Sequence, residues 1–307
     1  MTTVVNGYNF IEGDCAVAIG KFDGLHIGHD AIIKELVSLK KKGLTTVLLS
    51  FDPSPDVYFW RAEDTLLLTS SEMEERLNSY GIDCHLILSF TDELAKMTPE
   101  DFLNNILIEK LHVKEIVAGE DVSFGYKGRG NAEFLLSEQK KGRIKAHIIK
   151  KLTVDHTEVS STLIRELIKN GKIEKANELL GYKYSFTGVA VEGKHLGRTY
   201  GFPTVNFYPE KKKVLPPNGV YFTVMKVKDK QYFAMTNIGV RPSVEEKKGI
   251  NLETHLLAEA EELYGESCTV SLYAYHRPEE KFGSLEGLVE QLKKDRTDCR
   301  DFFGILK

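Results

Sequence analysis

The stretch Gly20–His29, with the sequence GKFDGLHIGH, lies between two segments of different periodicity. The run before it, Cys15–Ile19, is continuously apolar, which indicates a buried strand. The segment after it, Asp30–Lys42, carries apolar residues at helical spacing and predicts an amphipathic helix. A strand, a glycine-containing turn and a helix present backbone N–H groups and a helix dipole to an anion. The stretch therefore predicts a site for a nucleotide phosphate.

Two histidines of this stretch, His26 and His29, are three residues apart and would share one face where the helix begins. An imidazole can give a proton or a hydrogen bond to a phosphate oxygen near neutral pH. A lone histidine is more often a satisfied structural residue, and an H-x-x-H pair can also bind a metal ion. No cluster of Cys or His nearby supplies the other ligands of such a metal site. We therefore favour a phosphate contact.

Up to about Tyr182 the chain alternates short apolar strands with amphipathic helices. This alternation predicts a parallel sheet covered on both faces, with ligands at the C-terminal ends of its strands. No G-x-G-x-x-G motif with a downstream acidic ribose partner is present, which disfavours a nicotinamide dinucleotide fold. Besides Cys15–Ile19, the predicted strands are Thr45–Phe51, Cys84–Phe90, Lys114–Gly119 and Ile144–Lys150. The predicted helices after the first are Ser70–Tyr80, Pro99–Leu111 and Asn131–Lys141.

The segment Val159–Arg165 begins a further predicted helix with consecutive hydroxyl residues. On sequence alone, one hydroxyl is most simply a helix N-cap, and Arg165 then faces solvent. The alternative is a second phosphate clamp, in which Ser161 or Thr162 acts with helix N-terminal amides and the guanidinium. The sequence is consistent with both interpretations.

After Leu180–Tyr182 the pattern changes to strand-like runs separated by Gly, Pro, Asn and Asp, with one late helix at Ser284–Lys294. Several antiparallel strands with one helix predict a small closed β-barrel. We therefore predict two domains, residues 1–182 and 183–307, with the boundary near Gly181–Ser185. A chain of 307 residues is also long for a single core.

The second half repeats the chemistry of phosphate binding with different residues. The loop Gly193–Gly201 is punctuated by glycines, so its backbone can approach phosphates closely. Thr204 and Asn206 alternate by two, so on a strand both oxygens face one side as ligands for Mg²⁺, although both types also form turns near proline. Glu253 lies in an apolar strand, where it either faces solvent or is a positioned general base.

Composition and charge narrow the class of protein. The net charge of −4 gives no basic field for nucleic acid, and hydrophobic and charged residues, at 42% and 28%, are ordinary for a globular protein. The beginning of the chain lacks a basic region followed by an apolar segment, and no apolar run approaches membrane-spanning length. The cysteines are far apart, which argues against a zinc site and suits a reducing compartment. We expect a cytoplasmic protein without a nucleic-acid or membrane partner. The cysteines are Cys15, Cys84, Cys268 and Cys299.

The motifs of the first half resemble those of the nucleotidyltransferase superfamily. The motif F-D-G-x-H-x-G-H at Phe22–His29 and the segment Ser-Ser-Thr-x-Ile-Arg at Ser160–Arg165 resemble, more narrowly, the adenylyltransferase half of bacterial bifunctional riboflavin kinase/FAD synthetases. The resemblance covers Ala16–Tyr182. It implies charge stabilisation by His26, His29 and Arg165. It further implies nucleotide contacts by Gly20, Phe22, Asp23, Gly28, Asp121, Ser161 and Thr162. That family usually has His where Ser54 stands and often Arg where Leu163 stands.

The second half resembles the riboflavin kinase module over about Ser185–Leu306. The resemblance implies that Thr204 and Asn206 hold Mg²⁺–ATP and that Glu253 takes the proton from the riboflavin 5′-hydroxyl. The motifs that carry it are Gly-Phe-Pro-Thr-x-Asn at Gly201–Asn206, Asn218–Tyr221, Asn237–Pro242, Glu253–His255 and Lys281–Phe282. The implied ligand contacts besides Thr204 and Asn206 are Gly193, Gly197, Arg198, Gly201, Pro203, Asn237 and Arg241.

Together the two resemblances imply a Rossmann-like nucleotidyltransferase domain followed by a riboflavin kinase barrel. The implied activity is phosphorylation of riboflavin to FMN and adenylylation of FMN to FAD, with ATP, Mg²⁺ at each site, and flavins as substrates and products. The residues also allow two alternatives. In the first, only the kinase half is active, because Ser54 and Leu163 weaken the other half. In the second, the protein is a flavin-binding regulator without turnover. The implied partners are small molecules, and the oligomeric state is left open.

Overall fold

The structure, a computed structural model, describes residues 1–7, 13–60, 65–155, 157–191, 204–240, 250–258 and 263–305. The chain forms two compact units, Met1–Ser161 and Thr162–Lys307. The domain ranges 1–182 and 183–307 stay predictions. Within the described ranges, no helix combines the length and the apolar character needed to cross a membrane.

The first unit alternates strands and helices. Its strands are β1 (Thr3–Asn6), β2 (Cys15–Ile19), β3 (Thr45–Asp52), β4 (Cys84–Ser89), β5 (Val113–Gly119), β6 (Lys145–Ile149), β7 (Thr153–Val154) and β8 (Thr157–Glu158). Its helices are α1 (Ile27–Ser38), α2 (Pro55–Trp60), α3 (Ser70–Tyr80), α4 (Asp92–Lys96), α5 (Pro99–Asp101) and α6 (Ala132–Lys140). A 3₁₀ turn, Leu39–Lys42, follows α1, and a π-helix, Phe102–Ile108, continues α5.

The described strands β1 to β6 form a parallel sheet in the order β1-β4-β3-β2-β5-β6. All residues of β2 are buried, as its continuous apolar run predicts. The chain leaves β2 toward β3 on one side, and later returns to pair β5 on the other side. In open α/β sheets such a change of direction creates a crevice at the C-terminal strand ends, where ligands bind. The parallel sheet is confirmed, and the stretch Gly20–His29 begins at this crevice.

The second unit begins within α7 (Ser161–Lys169) and continues with α8 (Ile173–Leu180). Its strands are β9 (Ser185–Val189), β10 (Thr204–Phe207), β11 (Gly219–Val227), β12 (Lys230–Val240), β13 (Ile250–Leu256) and β14 (Ser267–Arg277), followed by helix α9 (Leu285–Phe303). Helix α8 is tied to the sheet by Asn177, whose buried amide donates to Leu272 O (2.9 Å) and accepts from Tyr184 N (2.7 Å).

The sheet of the second unit is antiparallel, in the order β10-β13-β12-β11-β14-β9 among the described strands. Its two edges meet just beyond β9, where Val191 and Asn206 form a backbone bridge. Val191 N donates to Asn206 O at 2.7 Å, and Asn206 N donates to Val191 O at 3.3 Å. The sheet therefore closes on itself at Asn206, which confirms the predicted barrel.

Helix α9 is held on the barrel by a buried ion pair. Asp295 is fully buried, and its carboxylate lies 2.7 Å from the guanidinium of Arg277 at the end of β14. Burial alone would raise the pKa of Asp295, but hydrogen bonds from Arg277 and Gln291 outweigh it and hold this pKa below its usual value. Because an unpaired charge in the interior is costly, the pair fixes the end of β14 and the segment that follows it.

Candidate active sites

The turn after β2 folds tightly onto itself. Phe22, Gly24 and Leu25 adopt left-handed φ angles of 43°, 81° and 37°. The ring of Phe22 lies over Gly20, where a Cβ atom would come within 3.0 Å of it. The side chains of Phe22 and Leu25 are buried, so the energetic cost of the left-handed backbone is offset by apolar burial. This turn brings the first residue of α1 to the end of β2.

Helix α1 begins without a side-chain cap. His26 occupies the N-cap position, and its side chain makes no capping hydrogen bond to the first turn. The backbone N–H groups of His29 and Asp30 donate to His26 O, at 2.8 and 3.2 Å. Gly28 leaves room for the His26 ring, because a Cβ atom there would lie 3.0 Å from His26 Nδ1. The start of the helix is thus suited to an anion.

The two histidines of the turn stack on each other. Their ring centroids are 3.7 Å apart and the planes are inclined by 19°, with Phe22 against the edge of His29. Burial lowers the pKa of His26 to about 4. Burial, together with the neighbouring His26, lowers the pKa of His29 to about 3. Each Nδ1 is buried and has no hydrogen-bond partner within the described ranges. Both rings are therefore uncharged at neutral pH, which favours hydrogen bonding over proton transfer.

Asp23 and Ser161 hold the turn in place. The Asp23 carboxylate accepts hydrogen bonds from Leu67 N at 3.0 Å and from Leu68 N at 3.4 Å. The Ser161 hydroxyl donates to Asp23 O at 2.8 Å. Both residues were predicted to contact a nucleotide. In the described arrangement these atoms connect the turn to the segment before α3 and to the start of α7.

The remaining predicted residues of this half lie at helix and strand ends. Asp121 follows β5; it is exposed, and its carboxylate is 3.1 Å from Lys151 Nζ. On α7, Thr162 is exposed and Arg165 is half-buried. Ser54 precedes α2, where its hydroxyl accepts a long hydrogen bond, 3.5 Å, from Val57 N. The residue that stands in place of the family's usual His thus takes a capping position.

In the second unit, polar side chains gather on one face of neighbouring strands. Asn206 of β10 lies opposite Glu253 of β13, and Glu253 lies opposite Asn237 of β12. The Thr204 hydroxyl, two residues from Asn206, donates to Glu253 Oε1 at 3.0 Å. Glu253 is half-buried. The prediction that Thr204 and Asn206 share a strand face is confirmed, and Glu253 faces the same side.

A further amide joins this face. Asn251, two residues before Glu253, donates from Nδ2 to Asn206 Oδ1 at 2.9 Å. Asn206 and Asn251 are buried, with 2% and 8% of their surface exposed. Asn206 Nδ2 and Asn251 Oδ1 have no hydrogen-bond partner among the described residues. Sequence reasoning missed Asn251, although its spacing of two from Glu253 places both on one face of a strand.

Asn237 of β12 lies beside Glu253 on the side away from Asn206. Its amide donates to Glu279 Oε1 at 3.0 Å, in the segment after β14. A Cβ atom at Gly239 would lie 2.2 Å from the same carboxylate oxygen, so Gly239 allows Glu279 to cover the strand. The other predicted contacts of this half lie outside the described residues. They are Gly193, Gly197, Arg198, Gly201, Pro203 and Arg241.

The oxygen atoms on the strand face of the second unit are suitable ligands for Mg²⁺. No group of three or more His, Cys, Asp or Glu suitable for a metal ion occurs in the part of the chain that the structure describes. Mg²⁺ needs no such cluster, because it is bound by one or two protein oxygens together with substrate phosphates and water. The Thr204 hydroxyl, the Asn206 amide and the Glu253 carboxylate supply oxygens of this type.

Comparison with known proteins matches the first and second parts of the chain to two different family models. The family model for FAD synthetase matches residues 9–163, and the family model for riboflavin kinase matches residues 180–303. The bifunctional riboflavin kinase/FMN adenylyltransferase of Listeria monocytogenes is 36% identical over 294 residues, which cover 95% of this chain and 93% of the relative. The chain belongs to the bifunctional riboflavin kinase/FMN adenylyltransferase family. The resemblance stated from the motifs is confirmed.

Two further matches extend over nearly the whole chain. The bifunctional riboflavin kinase/FMN adenylyltransferase of Bacillus subtilis is 31% identical and covers 96% of this chain and 95% of its own. A solved structure from Streptococcus pneumoniae, described as a macrolide-efflux protein, has a TM-score of 0.86 at 28% identity. It covers 97% of this chain and 98% of its own. This chain therefore shares the fold of that solved structure over nearly its whole length.

Proposed function

We propose that this chain makes FMN from riboflavin and ATP, and then makes FAD from FMN and a second ATP. The predicted domain of residues 183–307, here called the kinase unit, phosphorylates riboflavin. The predicted domain of residues 1–182, here called the adenylyltransferase unit, carries the phosphate-binding turn and transfers AMP to FMN with release of pyrophosphate. The observation that carries the proposal is that each family region has its own phosphate-type site: the uncapped start of α1 in one, and the oxygen-rich strand face in the other.

In the kinase unit, Glu253 is proposed as the general base. The riboflavin 5′-oxygen attacks the γ-phosphorus of ATP while its proton passes to the Glu253 carboxylate. The bond from the γ-phosphorus to the bridging oxygen breaks, and ADP leaves. The hydrogen bond from Thr204 keeps the carboxylate on the strand face that carries Asn206. Mg²⁺, which we expect with ATP in each unit, neutralises charge on the triphosphate, and here Thr204 and Asn206 would hold it.

In the adenylyltransferase unit, a phosphate oxygen of FMN attacks the α-phosphorus of ATP. The bond to the β-phosphate oxygen breaks and pyrophosphate leaves, so FAD forms. The FMN phosphate is already anionic, so this step needs no strong base. His26 and His29 are proposed to donate hydrogen bonds to the triphosphate as charge accumulates on it, and Arg165 to supply positive charge. The neutral state of both rings, each with a buried Nδ1 atom that has no partner among the described residues, supports this role.

The remaining contacts are proposed from the family motifs. Those in the first half lie at the C-terminal ends of β2 and β5 or at the start of α7, where the sheet topology favours a ligand. Small-molecule substrates and a cytoplasmic location complete the proposal. The proposed nucleotide and flavin contacts are Gly20, Phe22, Asp23, Gly28, Asp121, Thr162, Gly193, Gly197, Arg198, Gly201, Pro203, Asn237 and Arg241. Ser161 is proposed to act on the nucleotide either through its hydrogen bond to Asp23 O or by direct contact.

The test is a product assay with the purified chain. Riboflavin, ATP and Mg²⁺ are incubated with the enzyme, with oxidised and with reduced flavin, and the products are separated by chromatography. We expect FMN to appear first and FAD to follow. Accumulation of FMN without FAD would select the kinase alone. Absence of any ATP consumption would favour a flavin-binding regulator instead.

A further inference from the structure

The backbone of Asn206 is fixed where the barrel closes. Its N–H and C=O groups bond to Val191 across the closure, and it lies opposite Glu253 on its other side. Because both neighbouring strands hold this residue, the backbone leaves little freedom to aim the side chain. The orientation of the Asn206 amide therefore depends on the side chain beside it, which is Asn251.

The Asn206–Asn251 amide pair is only half satisfied. One hydrogen bond, from Asn251 Nδ2 to Asn206 Oδ1 at 2.9 Å, uses a single polar atom of each residue. The other two atoms, Asn206 Nδ2 and Asn251 Oδ1, are buried without a partner in the described part of the chain. A buried polar atom without a partner destabilises the fold, because it has lost its hydrogen bonds to water. A purely structural pair would gain stability from apolar residues here, so the unpaired atoms point to a ligand.

The present orientation of the Asn206 amide leaves its nitrogen, and not its oxygen, without a partner. A cation is bound by the amide oxygen and repelled by the amide N–H₂, yet Asn206 Oδ1 is the atom that receives the Asn251 hydrogen bond. Rotation of both amides by half a turn exchanges oxygen and nitrogen. The pair then keeps its hydrogen bond, now from Asn206 Nδ2 to Asn251 Oδ1, and Asn206 Oδ1 becomes available.

We propose that Asn251 is the positioning residue of the cation site, and that the Asn206–Asn251 amide pair reverses when Mg²⁺–nucleotide binds. An amide suits this position because it can donate before the reversal and accept after it. The inference rests on the proposed function, in which Asn206 holds the cation with Thr204. It adds a residue that acts through Asn206 and does not touch the substrate.

The experiment follows the side-chain amide signals of the two asparagines by ¹⁵N NMR in the full chain. Mg²⁺ is titrated into protein saturated with ADP, so that no turnover occurs. These signals report the kinase unit alone, although the adenylyltransferase unit also takes nucleotide. We expect the Asn206 and Asn251 signals to shift together at the same Mg²⁺ concentration. An Asn251 signal that stays in place while Asn206 shifts overturns the proposal.

Two variants at one position make a matched pair. Asn251→Leu removes the partner, and we expect the Mg²⁺ concentration at half-shift of the Asn206 signal to rise about 5- to 20-fold. In Asn251→Asp the side chain can only accept a hydrogen bond from Asn206, as in the reversed pair. We expect the Mg²⁺ concentration at half-shift of the Asn206 signal to be equal to or below that of the wild type. A wild-type midpoint in Asn251→Leu, or an Asn251→Asp midpoint as high as that of Asn251→Leu, overturns the proposal. If Asn251→Leu fails to fold, the wild-type signals and Asn251→Asp still decide.

Failure of the proposed function gives a different result. If the Asn206 signal of the wild type does not respond to Mg²⁺ at all, Asn206 is not a ligand and the assignment of the cation site is wrong. If Asn206 responds and Asn251→Leu leaves its midpoint unchanged, the cation site stands and only the role of Asn251 is lost.

Discussion

The two sites handle phosphate charge with opposite kinds of chemical group. At the start of α1 the groups are donors, namely backbone N–H groups and two imidazoles that burial keeps uncharged. On the barrel face the groups are oxygens, from Thr204, Asn206 and Glu253. Donors can contact an anion directly, whereas oxygens repel it unless a cation lies between them. The first site should therefore depend on the geometry of its turn, and the second on a metal ion and a base.

The largest expected effect is that of Glu253→Gln on FMN formation. The amide can still accept the hydrogen bond from Thr204 but cannot take a proton, so we expect kcat for riboflavin phosphorylation to fall about 10³-fold. FAD formation from supplied FMN should stay within 2-fold of wild type. The measurement is chromatography of each product from its own substrate. Glu266→Gln, on the partly exposed partner of Lys228, serves as the control and should leave both rates near wild type. Full kinase activity in Glu253→Gln would remove Glu253 from the role of base.

His29→Ala tests the other side of the contrast. Loss of a desolvated donor beside the triphosphate should lower kcat for FAD formation about 10²-fold. FMN formation should change by less than 2-fold, because the kinase unit has its own site. Both activities are measured on one preparation, so each is the control for the other. A parallel loss of both activities in a folded protein would contradict the assignment of two separate sites.

Buried histidines also make the stability of the adenylyltransferase unit depend on pH. Burial lowers the pKa of His26 and of His85 to about 4, below the ordinary 6.5 that each regains on unfolding. The unfolded chain thus binds protons that the folded chain does not, and stability falls as the pH drops from 6.5 toward 4. Each histidine contributes at most about 1.4 kcal/mol per pH unit to this slope.

His85→Gln isolates one of these contributions away from the turn. His85 is buried on β4, where its Nε2 lies 2.8 Å from the Ser50 hydroxyl, a contact that a glutamine amide can retain. We expect the pH slope of the unfolding free energy to become shallower by up to about 1.4 kcal/mol per pH unit. This slope is measured for the adenylyltransferase unit by hydrogen exchange, in urea, of peptides that contain β2 and β4. An unchanged slope would show that His85 is not a buried neutral histidine.

Much of the fold follows from local patterns. The apolar run Cys15–Ile19 and the helix Ser70–Tyr80 have the predicted bounds. Within the helix predicted for Pro99–Leu111, residues Phe102–Ile108 form a π-helix, and the side chains of Leu103, Ile106 and Leu107 are buried. Apolar spacing predicts which residues are buried in a helix but does not distinguish its hydrogen-bond pattern.

The sequence predicts which types of residue form the two sites, but not their protonation states or their hydrogen-bond partners. The H-x-G-H motif indicates two histidines at a phosphate turn, yet their lowered pKa values depend on burial and on the stacking of one ring over the other. Likewise the spacing of Thr204 and Asn206 predicts a shared face. The pairing of Asn206 with Asn251 depends on the register between β10 and β13, which no local pattern gives.

Ser161→Ala, with the smallest expected effect, separates two interpretations of the hydroxyls at the start of α7. The Ser161 hydroxyl donates to Asp23 O at 2.8 Å, so its loss removes one hydrogen bond that holds the turn. Such a bond contributes about 0.5–1.5 kcal/mol, so we expect kcat/KM for FAD formation to fall about 3- to 10-fold. Ser137→Ala removes a similar hydroxyl bond to a helix carbonyl, at 2.8 Å, and should leave this rate unchanged. A fall of 10²-fold or more in Ser161→Ala would instead indicate that the hydroxyl leaves Asp23 and contacts the phosphates directly, as the clamp interpretation requires.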